Sequence, residues 1–206
     1  MMRYSLQLIR AQIYWRRAGV VFIHVPRVAG SSVNHLLYGK TLGHFRASHA
    51  LKLIKYQDID LPSFSLVRNP YDRLISAYNF AKLGNTSVMG ISNPEFYKTR
   101  SFRSFDSFLN EWLSEQNLAV VDEVFRPQTY FLNATMSHFP SKVFMLNQMN
   151  ELSLYLSDLL GVDISLPSIN SSSHYSDQSY ASLSECSKRT IEQLYRSDFD
   201  FIKKLK

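Results

Sequence analysis

The chain holds a single cysteine, Cys186, in 206 residues, so no intrachain disulfide can form and nothing argues for an oxidising compartment. No apolar run approaches the roughly 20 residues that a membrane-spanning helix requires. The stretch "MMRYSLQLIRAQIYWRRAG" has neither a continuous apolar centre nor a small-residue cleavage site, which argues against a secretory signal. The expectation is a cytoplasmic protein of bacterial type, with peripheral contact at the inner membrane as the alternative. No internal repeat is visible. Basic residues are spread along the chain, and the pairs Arg16-Arg17 and Lys203-Lys204 are too short for a nucleic-acid tail, so no nucleic-acid partner is expected. The Gly-Lys-Ser/Thr of an ordinary ATP or GTP loop is missing as well.

What remains is a globular composition. Hydrophobic residues make up 45% and charged residues 19%, enough to build a real core, and the length suits one domain over residues 1–206. The formal net charge of +6 fits an anionic ligand once a site for one is found. Leu6, Ile9 and Ile13 stand at helical spacing among basic residues, which predicts that residues 1–19 form an amphipathic helix packed on the domain.

Val20–Val25 and Phe64–Val67 are short continuous apolar runs, the pattern of strands buried on both faces of a parallel sheet, and Lys142–Leu146 reads as a third. Helices are expected over Ser31–Tyr38, about His49–Tyr56, over Phe105–Leu118, over Glu151–Leu160 ending at Gly161, and over Leu183–Leu205 with Ile191, Leu194, Tyr195 and Phe199 on one side. Asn69 can cap a further helix, Pro70 suits its first position, and Leu74, Ala77, Tyr78 and Ala81 form its apolar stripe. "LGNTSVMGISNPEFYKTR" and "SLPSINSSSHYSDQSY" read as loops. Strands alternating with helices predict a layered α/β domain.

Chemistry gathers at two strand ends. In "VVFIHVPRVAGSSVNHLL" a buried strand turns into a helix, and a helix N-terminus offers unpaired amides and a positive dipole end to an anion. Gly30 permits close approach or a sharp turn, Ser31 and Ser32 add hydroxyls, and Arg27 adds a forked cation. A tight turn with Ser31 as cap would explain Gly30 and Ser31 but leave Arg27 unexplained. In "FSLVRNPYDRLISAY" Arg68 stands at the carboxyl end of a strand, where open α/β sheets bind ligands. Arg73 and Ser76, three apart, share a helix face and read as further groups for an anion.

Together these two segments resemble the nucleotide-binding motifs of sulfotransferases, and nearest to them the carbohydrate sulfotransferases that include heparan sulfate 2-O-sulfotransferase and bacterial relatives. "FIHVPRVAGSS" is similar to the 5′-phosphosulfate loop and "FSLVRNPYDRLISAY" to the 3′-phosphate motif; "RPQTYFL" and "INSSSHY" also resemble segments of these enzymes. The resemblance runs from about Val20 to Lys206. It implies a P-loop-like three-layer domain with a short central parallel sheet flanked by helices. It implies 3′-phosphoadenosine-5′-phosphosulfate as donor, with no metal. The 5′ side would lie on Arg27, Val28, Ala29, Gly30, Ser31 and Ser32, the 3′-phosphate on Arg68 and Ser76. Ser172 and His174 of the late serine-rich loop would add contacts to the donor. Arg126 and Gln128 would bind the acceptor, a glycan or other hydroxyl compound, or hold the fold. Three positions depart from the family pattern: Arg27 stands where Lys is usual, Val28 where Thr is usual, and Val124 where many relatives have His.

Sulfuryl transfer needs a base for the acceptor's proton, and histidine titrates in the right range. Relatives carry a catalytic His between the two nucleotide motifs, often followed by Ala. His49-Ala50 fits this best, with His44 second and Arg27 stabilising the departing phosphate. His24, inside the first motif, reads as a structural hydrogen-bonder, His35 as a packing or surface residue of the first helix, and His138 as a loop residue without supporting features. Asp122 and Glu123 are the carboxylate alternatives. Two rival readings stand beside an enzyme with this donor: a non-catalytic protein binding the same nucleotide, and a small P-loop kinase. The oligomeric state is not legible.

Overall fold

The computed structural model describes residues 2–56, 60–84, 91, 93–133, 139–166 and 180–205. In chain order its elements are α1 (Met2–Ala18), β1 (Val21–Ile23), α2 (Gly30–Tyr38), α3 (Ala47–Tyr56), β2 (Ser63–Val67), α4 (Pro70–Leu83), α5 (Phe105–Ser107), α6 (Gln128–Leu132), β3 (Lys142–Met145), α7 (Met149–Leu160), α8 (Glu185–Leu194) and α9 (Arg196–Lys203). Among the described residues no helix is long and apolar enough to cross a membrane. The chain divides into two compact units, Met1–Arg68 with Gln128–Ile169 and Asn69–Pro127 with Asn170–Lys206.

The first unit carries the sheet. Its three strands are parallel in the order β1-β2-β3, with Phe22 beside Phe64 and Phe64 beside Lys142. β1 and β2 are buried at every position, as apolar runs covered by helices must be. The fold is α/β, a short parallel sheet flanked by helices, consistent with a P-loop-like sulfotransferase fold. β1 is at the edge of the described sheet, and Tyr38 at the end of α2 takes up an outward amide of this strand and the carbonyl that precedes it. The Phe22 amide donates to Tyr38 Oη at 2.9 Å, and that hydroxyl donates to Val20 O at 3.1 Å. Tyr38→Phe leaves the buried amide without an acceptor, so a loss of about 1–3 kcal/mol is expected in chemical denaturation. Ser65 Oγ adds a bond to Ile23 O at 2.6 Å, tying the carboxyl end of β1 to the middle of β2.

α1 packs on α2 and α3, but not through the face its spacing predicts. Ala11, Gln12 and Trp15 are buried, and Trp15 meets Phe45 edge-on, while Leu6, Ile9 and Ile13 are exposed. Trp15 and Tyr4 both turn inward onto the Phe45 ring, and the edge-on aromatic contacts they make there accompany this orientation.

The second unit is built around aromatic rings. Asn69 caps α4 by accepting from the Tyr71 amide, Pro70 occupies the first turn, and the stripe of Leu74, Ala77, Tyr78 and Ala81 is buried as expected. Burial extends further round this helix, taking in Arg73, Ile75, Ser76 and Phe80. The single helix expected over Phe105–Leu118 is instead α5, a π-turn over Phe108–Trp112 and a 3₁₀ turn over Leu113–Glu115. The extra residue of the π-turn lets Phe105, Phe108, Leu109 and Leu113 all reach the core. The closing helix is likewise two. It breaks at Tyr195 (φ −111°, ψ 26°), whose buried hydroxyl donates to Phe125 O at 2.6 Å. In the long loop expected after α4, Pro94–Tyr97 forms a 3₁₀ turn that buries Tyr97.

Candidate functional site

The turn from β1 to α2 is strained. Arg27 and Ala29 both have positive φ, 68° and 60°, though neither is glycine. Left-handed backbone costs such residues about 1–2 kcal/mol each, and it collects at functional sites. Turns of this kind aim successive amides into one concavity that suits an anion. Ala29 stands at the cap of α2 and accepts no side-chain bond, so the plain alternative of Ser31 as cap is not what the fold uses. Arg27, Ala29 and Ser31 are part-buried, Ser32 is exposed, and Val28 and Gly30 are buried.

Gly30 is glycine for space rather than for φ. A Cβ added there would overlap Cδ2 and Nε2 of His24 and lie 3.0 Å from its Cγ. His24 is thus the floor of the loop. Asn34 Nδ2 donates to His24 Nδ1 at 3.1 Å and to Gly30 O at 2.9 Å, so one amide binds ring and loop together. Burial, and then the neighbouring His44, hold His24 well below the usual imidazole pKa, so it is neutral. His44 packs at 4.2 Å between ring centroids and donates Nδ1–H to His24 O at 3.0 Å. That bond sets the His44 tautomer, with the lone pair on Nε2.

His49 sits in the first turn of α3. Its Nδ1 shares a 2.9 Å hydrogen bond with Tyr4 Oη of α1, and the same oxygen accepts from the Arg46 amide at 3.2 Å. Burial, then Arg46 and Lys52, lower the His49 pKa, which keeps the ring neutral near pH 7. The Arg46 guanidinium lies over the Tyr130 ring at 4.8 Å, and among the described residues its buried Nε finds no hydrogen-bond partner. An orphaned cationic N–H of this kind fits an anionic group.

Arg68 follows β2 at the same carboxyl edge of the sheet as the β1 loop. Gln128, fully buried, clamps it. Gln128 Oε1 accepts from the Arg68 amide at 2.9 Å, and Nε2 donates to Arg68 O at 2.8 Å. Both ends of the Gln128 amide are thereby taken up by the backbone that carries Arg68.

The remaining candidates belong to the second unit. Ser76 is buried on α4. Arg73, expected to face an anion beside it, turns inward instead, 1% exposed, with Nη2 donating to Val124 O at 3.3 Å and Arg126 O at 2.7 Å. Arg126 donates Nε to Val121 O at 2.7 Å. Val124 is buried, and Asp122 accepts from its amide at 3.2 Å. Burial raises the Glu123 pKa against the opposing pull of Arg126. Ser172, His174 and His138 lie outside the described residues.

Three contributors escaped the sequence reading. Arg46 stands between His44 and His49 in "GHFRASHA", and a cation flanked by two histidines was the available signal. Tyr4 reaches His49 across 45 positions, and Tyr130 reaches Arg46 across a still longer stretch, so local pattern carries no trace of either.

Residues 13–203 match the model of the Sulfotransferase family. No curated protein and no solved structure matches the chain.

Proposed function

Because the chain belongs to the sulfotransferase family, we propose that it moves the sulfuryl group of 3′-phosphoadenosine-5′-phosphosulfate to a hydroxyl of a glycan. The observation that carries this reading is the strained turn from Arg27 to Gly30. Two non-glycine residues held left-handed at a helix N-terminus are a cost that anion binding rationalises. The loop from Arg27 to Ser32 takes the 5′ side, with Arg27 meeting the charge left on the phosphate when the sulfur–oxygen bond breaks. Arg68, steadied by Gln128, and Ser76 take the 3′-phosphate, and Ser172 and His174 complete the donor site. The chain works as one sulfotransferase domain, supported by a match that runs through both units. The glycan acceptor and a cytoplasmic setting rest on the resemblance to bacterial carbohydrate sulfotransferases and on the single cysteine.

His49 is the base of this proposal. With Nδ1–H donated to Tyr4 Oη, the Nε2 lone pair takes the acceptor proton as the oxygen attacks sulfur in line. One specific observation favours a second reading. His44 already has its Nδ1–H bound to a carbonyl, which leaves Nε2 as its basic nitrogen.

Calorimetry with 3′-phosphoadenosine-5′-phosphate against ATP tests the donor. Preference for the bisphosphate is expected, and preference for ATP overturns the reading in favour of a kinase. Arg68→Ala is expected to weaken the bisphosphate by about 10–100-fold, the worth of a charge-assisted contact, and to leave adenosine 5′-phosphosulfate nearly unchanged. Equal losses for both ligands refute the role of Arg68. Binding without transfer to any glycan or other hydroxyl acceptor leaves a nucleotide-binding protein instead of an enzyme.

A further inference from the structure

α1 has two unlike faces. Its inner face carries Trp15, Ala11 and Gln12, all buried. Its outer face carries Leu6, Ile9 and Ile13, which are 52%, 52% and 50% exposed. At spacings of three and four they form one continuous aliphatic row. Arg3, Arg10 and Arg17, seven residues apart and all exposed, run alongside that row. Arg16 continues the cationic rim at the last turn, and exposed Lys40 reaches over the Tyr14 ring at 5.6 Å. The first 57 residues contain nine Lys and Arg and not one Asp or Glu, the first acid being Asp58.

We propose that this face of α1 docks on the surface of an anionic lipid bilayer, lying in the headgroup plane with the aliphatic row turned down. The charge decides the occupant. An aliphatic row bordered by arginines, on a helix too polar to span, is the pattern of an interfacial helix, where apolar burial and attraction to anionic headgroups add. A second copy of the chain would bring the same arginines against one another across a two-fold axis, a like-charge contact. Nucleic acid would meet the arginines but make no use of three aliphatic side chains. The inner face remains packed throughout, so docking requires no unfolding of α1 from its unit.

Co-sedimentation of the full chain with vesicles tests this, independently of the donor reading. The wild type is expected to pellet with phosphatidylglycerol vesicles, to stay in solution with phosphatidylcholine vesicles, and to be released by salt. The triple variant Leu6→Gln, Ile9→Gln, Ile13→Gln is expected to lose more than about tenfold in partitioning. Its affinity for 3′-phosphoadenosine-5′-phosphate and its helical circular dichroism stay at wild-type values, which separates lost docking from lost folding. Arg3→Gln, Arg10→Gln and Arg17→Gln are each expected to cost about fivefold on the anionic vesicles. Wild-type protein that ignores phosphatidylglycerol, or a triple variant that binds it undiminished, overturns the proposal. So does light scattering that shows a dimer of the wild type broken by the triple variant, since the face would then belong to a second copy.

Discussion

Gly30→Ala is expected to abolish donor binding, with the affinity for 3′-phosphoadenosine-5′-phosphate falling by more than about 100-fold and stability by about 1–3 kcal/mol or more. The added methyl overlaps the His24 ring. That ring cannot retreat freely, because Asn34 holds Nδ1 and His44 packs on it from another side. The loop must therefore lift, and its amides leave the geometry that the left-handed turn at Arg27 and Ala29 imposes. A partner substitution isolates the cause. His24→Ala removes the obstacle, so adding it to Gly30→Ala is expected to cost much less than the two single effects combined, a coupling of about 0.5–3 kcal/mol. Calorimetry and thermal unfolding of the four proteins check this. Additive losses, or a Gly30→Ala protein that binds like wild type, refute the contact as the reason for the glycine.

His49→Ala is expected to lower the rate of labelled sulfate transfer by about 10²–10⁴-fold while the affinity for the bisphosphate is unchanged. With His49 as the proposed base, the wild-type profile of kcat/KM is expected to carry an acid limb below the ordinary imidazole value of 6.5, because burial and two neighbouring cations keep His49 neutral to lower pH. Activity is expected to be lost as the pH falls through that depressed value, since the proton then occupies the nitrogen proposed to accept one. On the proposal that Nδ1–H is donated to Tyr4, Tyr4→Phe removes the partner of Nδ1 and is expected to lower kcat with little change in KM. The competing outcome is equally definite. Should His44→Ala abolish transfer with binding intact while His49→Ala turns over normally, the base is His44. His44→Ala also frees the carbonyl of His24, so loss of nucleotide binding in that variant instead marks His44 as a support of the loop.

Much of this site was legible because it is local. A buried run, a Gly and a cation within eleven residues locate the β1 loop, and Asn69-Pro70 announces α4 before any contact is known. Chemistry that depends on packing was not legible. Arg73 reads as an available cation from its helical spacing with Ser76, yet carbonyls from residues 124 and 126 take its guanidinium into the interior. Gln128 reads equally well as a ligand or a brace until its two bonds to Arg68 are seen. α1 was expected as an amphipathic helix, but a hydropathy pattern counts Leu6, Ile9 and Ile13 without weighing them against Trp15. The breaks at Phe108 and Tyr195 have the same origin. Helical periodicity continues through both, and buried rings that need particular directions interrupt it.

The bond from Tyr4 to His49 ties the proposed base to the beginning of α1. Tyr4 lies in the first turn of that helix, where amides have no partner within the helix and the ends of helices fray. On the proposal that His49 is the base, unwinding this turn removes the bond that orients its ring. Warming unwinds helix ends well before it melts a domain. The enzyme is therefore expected to lose turnover on heating at temperatures where the sheet, the loop after β1 and the grip on nucleotide are all still intact.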